Sequence, residues 1–183
     1  MSTVWVLLGI VGALVVAVIA VYNSLITLKN KCEEGWSDID TQLKRRYDLI
    51  PNLVETVKGY AKHEASTFEN VTKARTMAMS ATSMQDKEQA ENMLTGALKS
   101  IFALAENYPE LKANENFLNL QTTLKEIEEH IQMSRRYYNA TVRDLNTKIE
   151  IFPNNLVANV FNFKKRDFFQ ADEKEKENVK VTF

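Results

Sequence analysis

The chain has 183 residues and a formal net charge of −1, with 23 Lys and Arg against 24 Asp and Glu. That balance lacks the basic footprint of a general nucleic-acid binder. Five glycines and three prolines are too few for the turns of a β-rich fold, which points to long helices. The single cysteine, Cys32, excludes an internal disulfide.

Val4 to Val21 reads VWVLLGIVGALVVAVIAV, with no charged side chain before Lys29. At 1.5 Å of rise per residue, roughly 20 apolar residues cross a hydrocarbon core of about 30 Å, so this run is expected to span a bilayer. Trp5 and Tyr22 stand at its two ends, where amphipathic rings favour the membrane interface. A cleaved signal peptide needs a basic leader, and Met1-Ser2-Thr3 supplies none. Lys29 and Lys31 follow the run and no Lys or Arg precedes it. The positive-inside rule then puts the N-terminus outside and the remainder in the cytoplasm.

Beyond the run, Leu25, Leu28, Cys32, Trp36, Ile39, Leu43, Tyr47 and Ile50 recur at spacings of three and four, one buried helical face. Pro51 interrupts it, because proline removes a helical hydrogen bond and disfavours helical geometry at Ile50. The pattern resumes through Val54, Val57, Ala61, Phe68 and Val71 to about Ala81. Two architectures fit. A reversal at Pro51 gives four antiparallel helices packed up and down; a kink gives a longer rod with two helices on it. Asp86 reads as the N-cap of a third helix carrying Ala90, Leu94, Ile101 and Leu104, which Pro109 stops. The fourth helix holds Leu120, Leu124, Ile127, Ile131, Tyr138, Val142, Leu145, Ile149 and Phe152 at a period near 3.5, the spacing of helical bundles and coiled coils. Pro153 ends it.

Past Pro153 the chain is apolar and basic. Leu156, Val157 and Val160 lead into Phe161, Phe163, Lys164, Lys165, Arg166, Phe168 and Phe169. These last seven are the candidate interaction surface, set against the plainer alternative of a flap over the open end of a bundle. The domain reading is an anchor over 1–22, helices over 23–152, the aromatic and basic segment over 153–170, and a mixed-charge disordered tail over 171–183.

Several long segments together resemble the LemA family of bacterial membrane proteins. They are WSDID (36–40), KRRYDLIPNLVETVKGYAKHE (44–64), ENYPELKANENFLNLQ (106–121), SRRYYNATVRDLNTKI (134–149) and FPNNLVANVFNFKKRDFF (152–169). The resemblance covers nearly all the chain beyond the run. It implies an all-α protein with an N-terminal transmembrane helix and an antiparallel up-and-down four-helix bundle of long helices, which favours reversal near Pro51. It also implies a role in membrane organisation or membrane-protein quality control, and carries over no catalytic residue.

Searches for chemistry return little. Tyr60 and Ile127 stand three residues before His63 and His130, so the Glu-x-x-His pairs of a di-iron bundle are absent. Thr67 occupies the second histidine position of an HExxH zinc motif starting at His63. No Gly-rich phosphate loop exists. Cys32, Trp36 and Tyr47 lie on the first stripe and read as core. Arg45-Arg46 and Arg135-Arg136 read as solvated or paired with acids such as Asp48 and Glu128. The expectation is a non-enzymatic membrane scaffold or adaptor with no catalytic, metal or cofactor site. Its partners are the lipid bilayer and other proteins or further copies of itself, not nucleic acid or a small-molecule substrate. The alternative is a lipid-interacting membrane organiser acting through the C-terminal aromatic and basic segment.

Overall fold

Pro51 does not turn the chain. In the computed structural model, which describes residues 2–169, it lies inside one helix, α1, running Ser2–Lys58. The missing proline N–H leaves the Tyr47 carbonyl without its i+4 donor. Arg75 fills the vacancy: its Nε donates to the Tyr47 oxygen at 2.8 Å. Reversal at Pro51 is therefore corrected to continuation, made tolerable by a side chain from another helix. The chain leaves the helix seven residues later, through 59–64, where Tyr60 and Ala61 both donate to the Val57 carbonyl. Gly59 opens this turn and is a poor helix former. The single helix expected from 52 to 81 is thus divided between the end of α1 and α2, Ala65–Ser80.

The remaining elements are α3 (Met84–Ala105), α4 (Pro109–Lys112), α5 (Glu115–Glu150) and α6 (Asn154–Val160). No strand occurs among the described residues. The cap of α3 is Ser83 rather than Asp86. Its hydroxyl accepts from the Asp86 backbone N–H at 3.0 Å and donates to the Asp86 carboxylate at 2.6 Å. The cap thus lies three residues before Asp86, which takes the N3 position and bonds the cap hydroxyl. Asn114 caps α5 in the same way, accepting from Phe117 N–H at 3.0 Å.

The chain divides into two compact units. The first comprises residues 1–38 and 134–168. Its core holds Leu25, Cys32, Tyr138, Val142, Leu145, Val157 and Ala158, all buried. Here α1 and α5 approach closely at Gly35, where a Cβ would meet the Tyr138 Cα at 3.2 Å. The second unit takes residues 39–133 and, among the described remainder, Phe169. Ile39, Leu43, Ile50 and Leu53 from α1, Phe68 and Val71 from α2, Leu94 and Ile101 from α3, and Leu124 and Ile131 from α5 are buried in it. Here α2 packs on α3, and Phe102 of α3 meets Phe117 of α5 with ring centroids 6.2 Å apart. The tail expected to be disordered, 171–183, lies outside the described residues, as does residue 170.

The apolar run forms the first part of α1. Its large side chains, from Val4 and Trp5 through Ile19, are exposed on all sides of the helix. It is long and apolar enough to cross a membrane, and none of it is buried within the protein.

Candidate functional site

The aromatic and basic segment is positioned by the way α6 ends. Asn162 takes a left-handed conformation, φ 56°, which asparagine tolerates better than most residues. The Phe163 N–H then donates to the Ala158 carbonyl at 2.9 Å and the Asn162 N–H to Asn159 at 3.2 Å. This pair of bonds is a Schellman motif with asparagine where glycine is commonest. It turns two rings back onto α1. Phe161 and Phe163 stack against Tyr22 with centroids 4.8 and 5.8 Å away.

From there the segment runs along α5 as a strap. Asn146 grips it twice: its Oδ1 accepts from the Arg166 backbone N–H and its Nδ2 donates to the Arg166 carbonyl, both at 2.9 Å. The Tyr138 hydroxyl donates to the Asp167 carbonyl at 3.0 Å. Burial, the largest cause, raises the Tyr138 pKa, so this phenol stays protonated as the donor. Arg166 reaches Glu33 at 2.7 Å, and Lys165 pairs with Glu150. Tyr22, Ile26, Lys29, Leu145 and residues 161–166 line a cleft of about 450 Å³.

The seven candidate residues therefore separate. Phe163 and Arg166 are half-buried contacts of the strap, and Phe169 is buried. Phe161, Lys164, Lys165 and Phe168 are exposed. Of the two interface anchors, Trp5 is exposed and Tyr22 is half-buried under the strap's rings. Sequence reasoning missed Asn146 and Glu33, which sit as ordinary polar residues of helical stripes. Only Asn162 just past an apolar helix carried a local signal for the turn.

A second cluster, in the other unit, was also missed. Arg46 of α1 is buried rather than solvated. Its guanidinium pairs with Glu91 of α3, reaches Glu128 of α5 at 2.5 Å, and donates to Thr95 at 3.3 Å. The pairing with Glu128 was expected; the burial and Glu91 were not. The Tyr47 hydroxyl donates to the other Glu91 oxygen. Desolvation first, then the charge of Glu91, pushes the Tyr47 pKa well above the usual tyrosine range. The result is a hydrogen-bond network among three helices, in which both Arg46 Nη groups are partnered and the buried Nε is not. His63 and His130 are exposed, Cys32 is buried, and no cluster of three metal-ligating residues occurs among the described residues.

The model of the LemA family matches residues 35–183. The chain belongs to the LemA family. Protein LemA of Metamycoplasma hominis is 29% identical over 161 residues, covering 86% of this chain and 72% of that one. Magnetosome proteins MamQ 1 and MamQ 2 of Paramagnetospirillum magneticum are each 25% identical over 186 residues, covering 87% of this chain and 68% of theirs. The family match spans both the strap and the buried Arg46 cluster. It indicates no specific molecular function.

Proposed function

We propose that this LemA-family chain is a non-enzymatic, single-pass membrane scaffold or adaptor. In this reading Val4–Val21 crosses the bilayer with the N-terminus outside. The rest forms an antiparallel up-and-down four-helix bundle in the cytoplasm, offering its helical faces to other proteins or to further copies. One observation carries the proposal. The apolar run is exposed throughout, yet it belongs to the same unbroken helix that supplies Ile39, Leu43 and Ile50 to a buried core. Leaving so much apolar surface in water is unfavourable, whereas a bilayer accepts it. The bundle is supported by Arg46, Tyr47, Glu91 and Glu128 linking α1, α3 and α5, and by Tyr47 reaching the Ala78 carbonyl of α2 at 3.4 Å. The process served is membrane organisation or membrane-protein quality control.

Topology is the test. With Cys32 replaced by Ser and a single new cysteine at Glu177, a membrane-impermeant maleimide should label the protein only after cell lysis. Labelling in intact cells reverses the orientation, and extraction of the protein by carbonate removes the anchor.

A second reading, a lipid-interacting organiser acting through the C-terminal segment, is favoured by the exposure of Phe161, Lys164, Lys165 and Phe168. A photo-crosslinking residue at position 168 of the full-length protein should then capture lipid. Capture of protein alone leaves the scaffold.

A further inference from the structure

The short helix α6 has two apolar faces. Val157 and Ala158 are buried against the rest of their unit, which is the ordinary use of an amphipathic helix. The opposite side should then be polar. Instead Leu156 and Val160, four residues apart and so on one face, are 57% and 79% exposed, and Phe152, in the turn that leads into α6, is 78% exposed. Asn159 is the other exposed position within the helix. A contiguous outward apolar face of this kind marks an interaction surface.

What covers it follows from where it lies. Within this unit α5 runs antiparallel to α1. Tyr138 stacks on Trp36 at 5.7 Å, whereas Leu145, further along α5, shares a cleft with Ile26 and Lys29, further back along α1. Continuing the register brings Glu150 to the level of Tyr22. The Phe161 ring, at the far end of α6, rests on Tyr22 itself. Tyr22 is the first residue after the apolar run. Both ends of α6 are therefore fixed at the depth where α1 leaves its apolar stretch.

We infer that α6 is a membrane-seating foot: Phe152, Leu156 and Val160 enter the headgroup–acyl boundary of the bilayer that α1 crosses. The inference rests on the proposed span of Val4–Val21. The occupant is a lipid surface because the face is continuous in level with the end of the span. Lys164 is exposed just beyond α6, which suits anionic headgroup phosphates; Lys165 beside it pairs with Glu150, and Lys29 in the adjoining cleft with Glu33. A free helix this short would bind lipid weakly. Here α1 holds it at the interface, so insertion carries little cost of bringing it there. Interfacial apolar faces sit about 5–10 Å into the boundary, well within reach of side chains the size of Phe and Leu.

The experiment uses the full-length protein with Cys32 changed to Ala, in nanodiscs containing phosphatidylglycerol and lipids spin-labelled at known depths. Single cysteines at positions 10, 34, 156 and 160 carry a fluorophore. Position 10 tests the span, and position 34, exposed and twelve residues past Tyr22 on α1, is the aqueous control. Quenching at 156 and 160 by shallow spin labels, with deep quenching at 10 and none at 34, is the expected result. Quenching at 10 with 156 and 160 as bright as 34 overturns the foot and leaves the span. No quenching at 10 removes the span and the foot with it. Cross-linking from 156 to a second copy, without quenching, assigns the face to protein and also overturns the inference. Because a fluorophore is itself apolar, a second measurement places it at 152 with Leu156→Glu and Val160→Glu. Helix content and melting should be unchanged, since both side chains are exposed, while quenching at 152 is lost. Retained quenching shows that the label, not the face, seeks the lipid.

Discussion

Each unit contains an arginine paired with glutamate from another segment, and the two pairs differ in kind. The Arg46 and Glu91 side chains are 3% and 7% exposed; those of Arg166 and Glu33 are 28% and 53% exposed. The Arg46–Glu91 pair is buried, so each charge depends on its partners, and breaking such a pair is costly. At Arg166 water screens the charges and the ion pair contributes little. The strap is held instead by the two backbone bonds to Asn146 and by the rings on Tyr22. One unit is tied by buried charge, the other by aromatic contact and backbone hydrogen bonds.

The sharpest way to break the comparison is Arg46→Leu. It strands Glu91 without its cation, and a destabilisation of about 3–5 kcal/mol is expected in chemical denaturation. Combining it with Glu91→Leu should recover much of that loss, because an apolar pair replaces a buried charge pair at little net cost. If the double variant is no better than the single, the cluster is not acting as a charge pair.

The same cluster sets an alkaline limit. Tyr47 and Tyr138 both have raised pKa values. Above pH 10 an unfolded tyrosine releases its proton while these two retain theirs. The folded state then binds more protons, and stability falls as pH rises, by up to about 1.4 kcal/mol per pH unit for each tyrosine. Tyr47→Phe should flatten the slope of unfolding free energy against pH above 10 without abolishing it, since Tyr138 remains.

Two glycines extend the contrast to backbone packing. A Cβ at Gly35 would come within 3.1 Å of Tyr137 Cδ1 and 3.2 Å of the Tyr138 Cα, whereas at Gly96 nothing lies within 4 Å. Alanine is favoured over glycine in a helix by about 1 kcal/mol. Gly96→Ala should therefore raise the melting temperature. Gly35→Ala should lower it, because the backbone of α5 cannot rotate away as a side chain could.

Much of the helical content was legible because apolar spacing is a local property. The stripe from Leu25 to Ile50 and the end of α5 before Pro153 follow from period and proline, whereas α3 ends at Ala105, short of the expected stop, and Pro109 opens α4 instead. Pro51 misled for a physical reason: the cost of a proline in a helix is a missing donor, and Arg75, 24 residues away, supplies one. No local pattern announces that rescue. The burial of Arg46 was hidden likewise, since spacing gave Glu128 as a possible partner but not that Glu91 would join it from α3. At the C-terminus the apolar and basic composition was plain, but it could not say which residues would fold inward. Phe163 and Arg166 do so because Asn162 reverses the chain, and Leu156 and Val160 face outward because the other side of α6 is already occupied.

The smallest expected effect is the most informative about the strap. Arg166→Ala deletes the guanidinium that reaches Glu33 but keeps both backbone groups that Asn146 holds. The cost should be within about 1 kcal/mol, and it should vanish in 1 M salt, where the Debye length is about 3 Å. The Arg46→Leu loss should survive the same salt, because ions do not enter a buried pair. Asn146→Ala removes two hydrogen bonds at once and should cost about 1–3 kcal/mol, insensitive to salt. If Arg166→Ala instead costs as much as Asn146→Ala and resists salt, the ion pair with Glu33 is shielded from water. Shielding of a pair that is solvent-exposed in the free protein requires something laid over it.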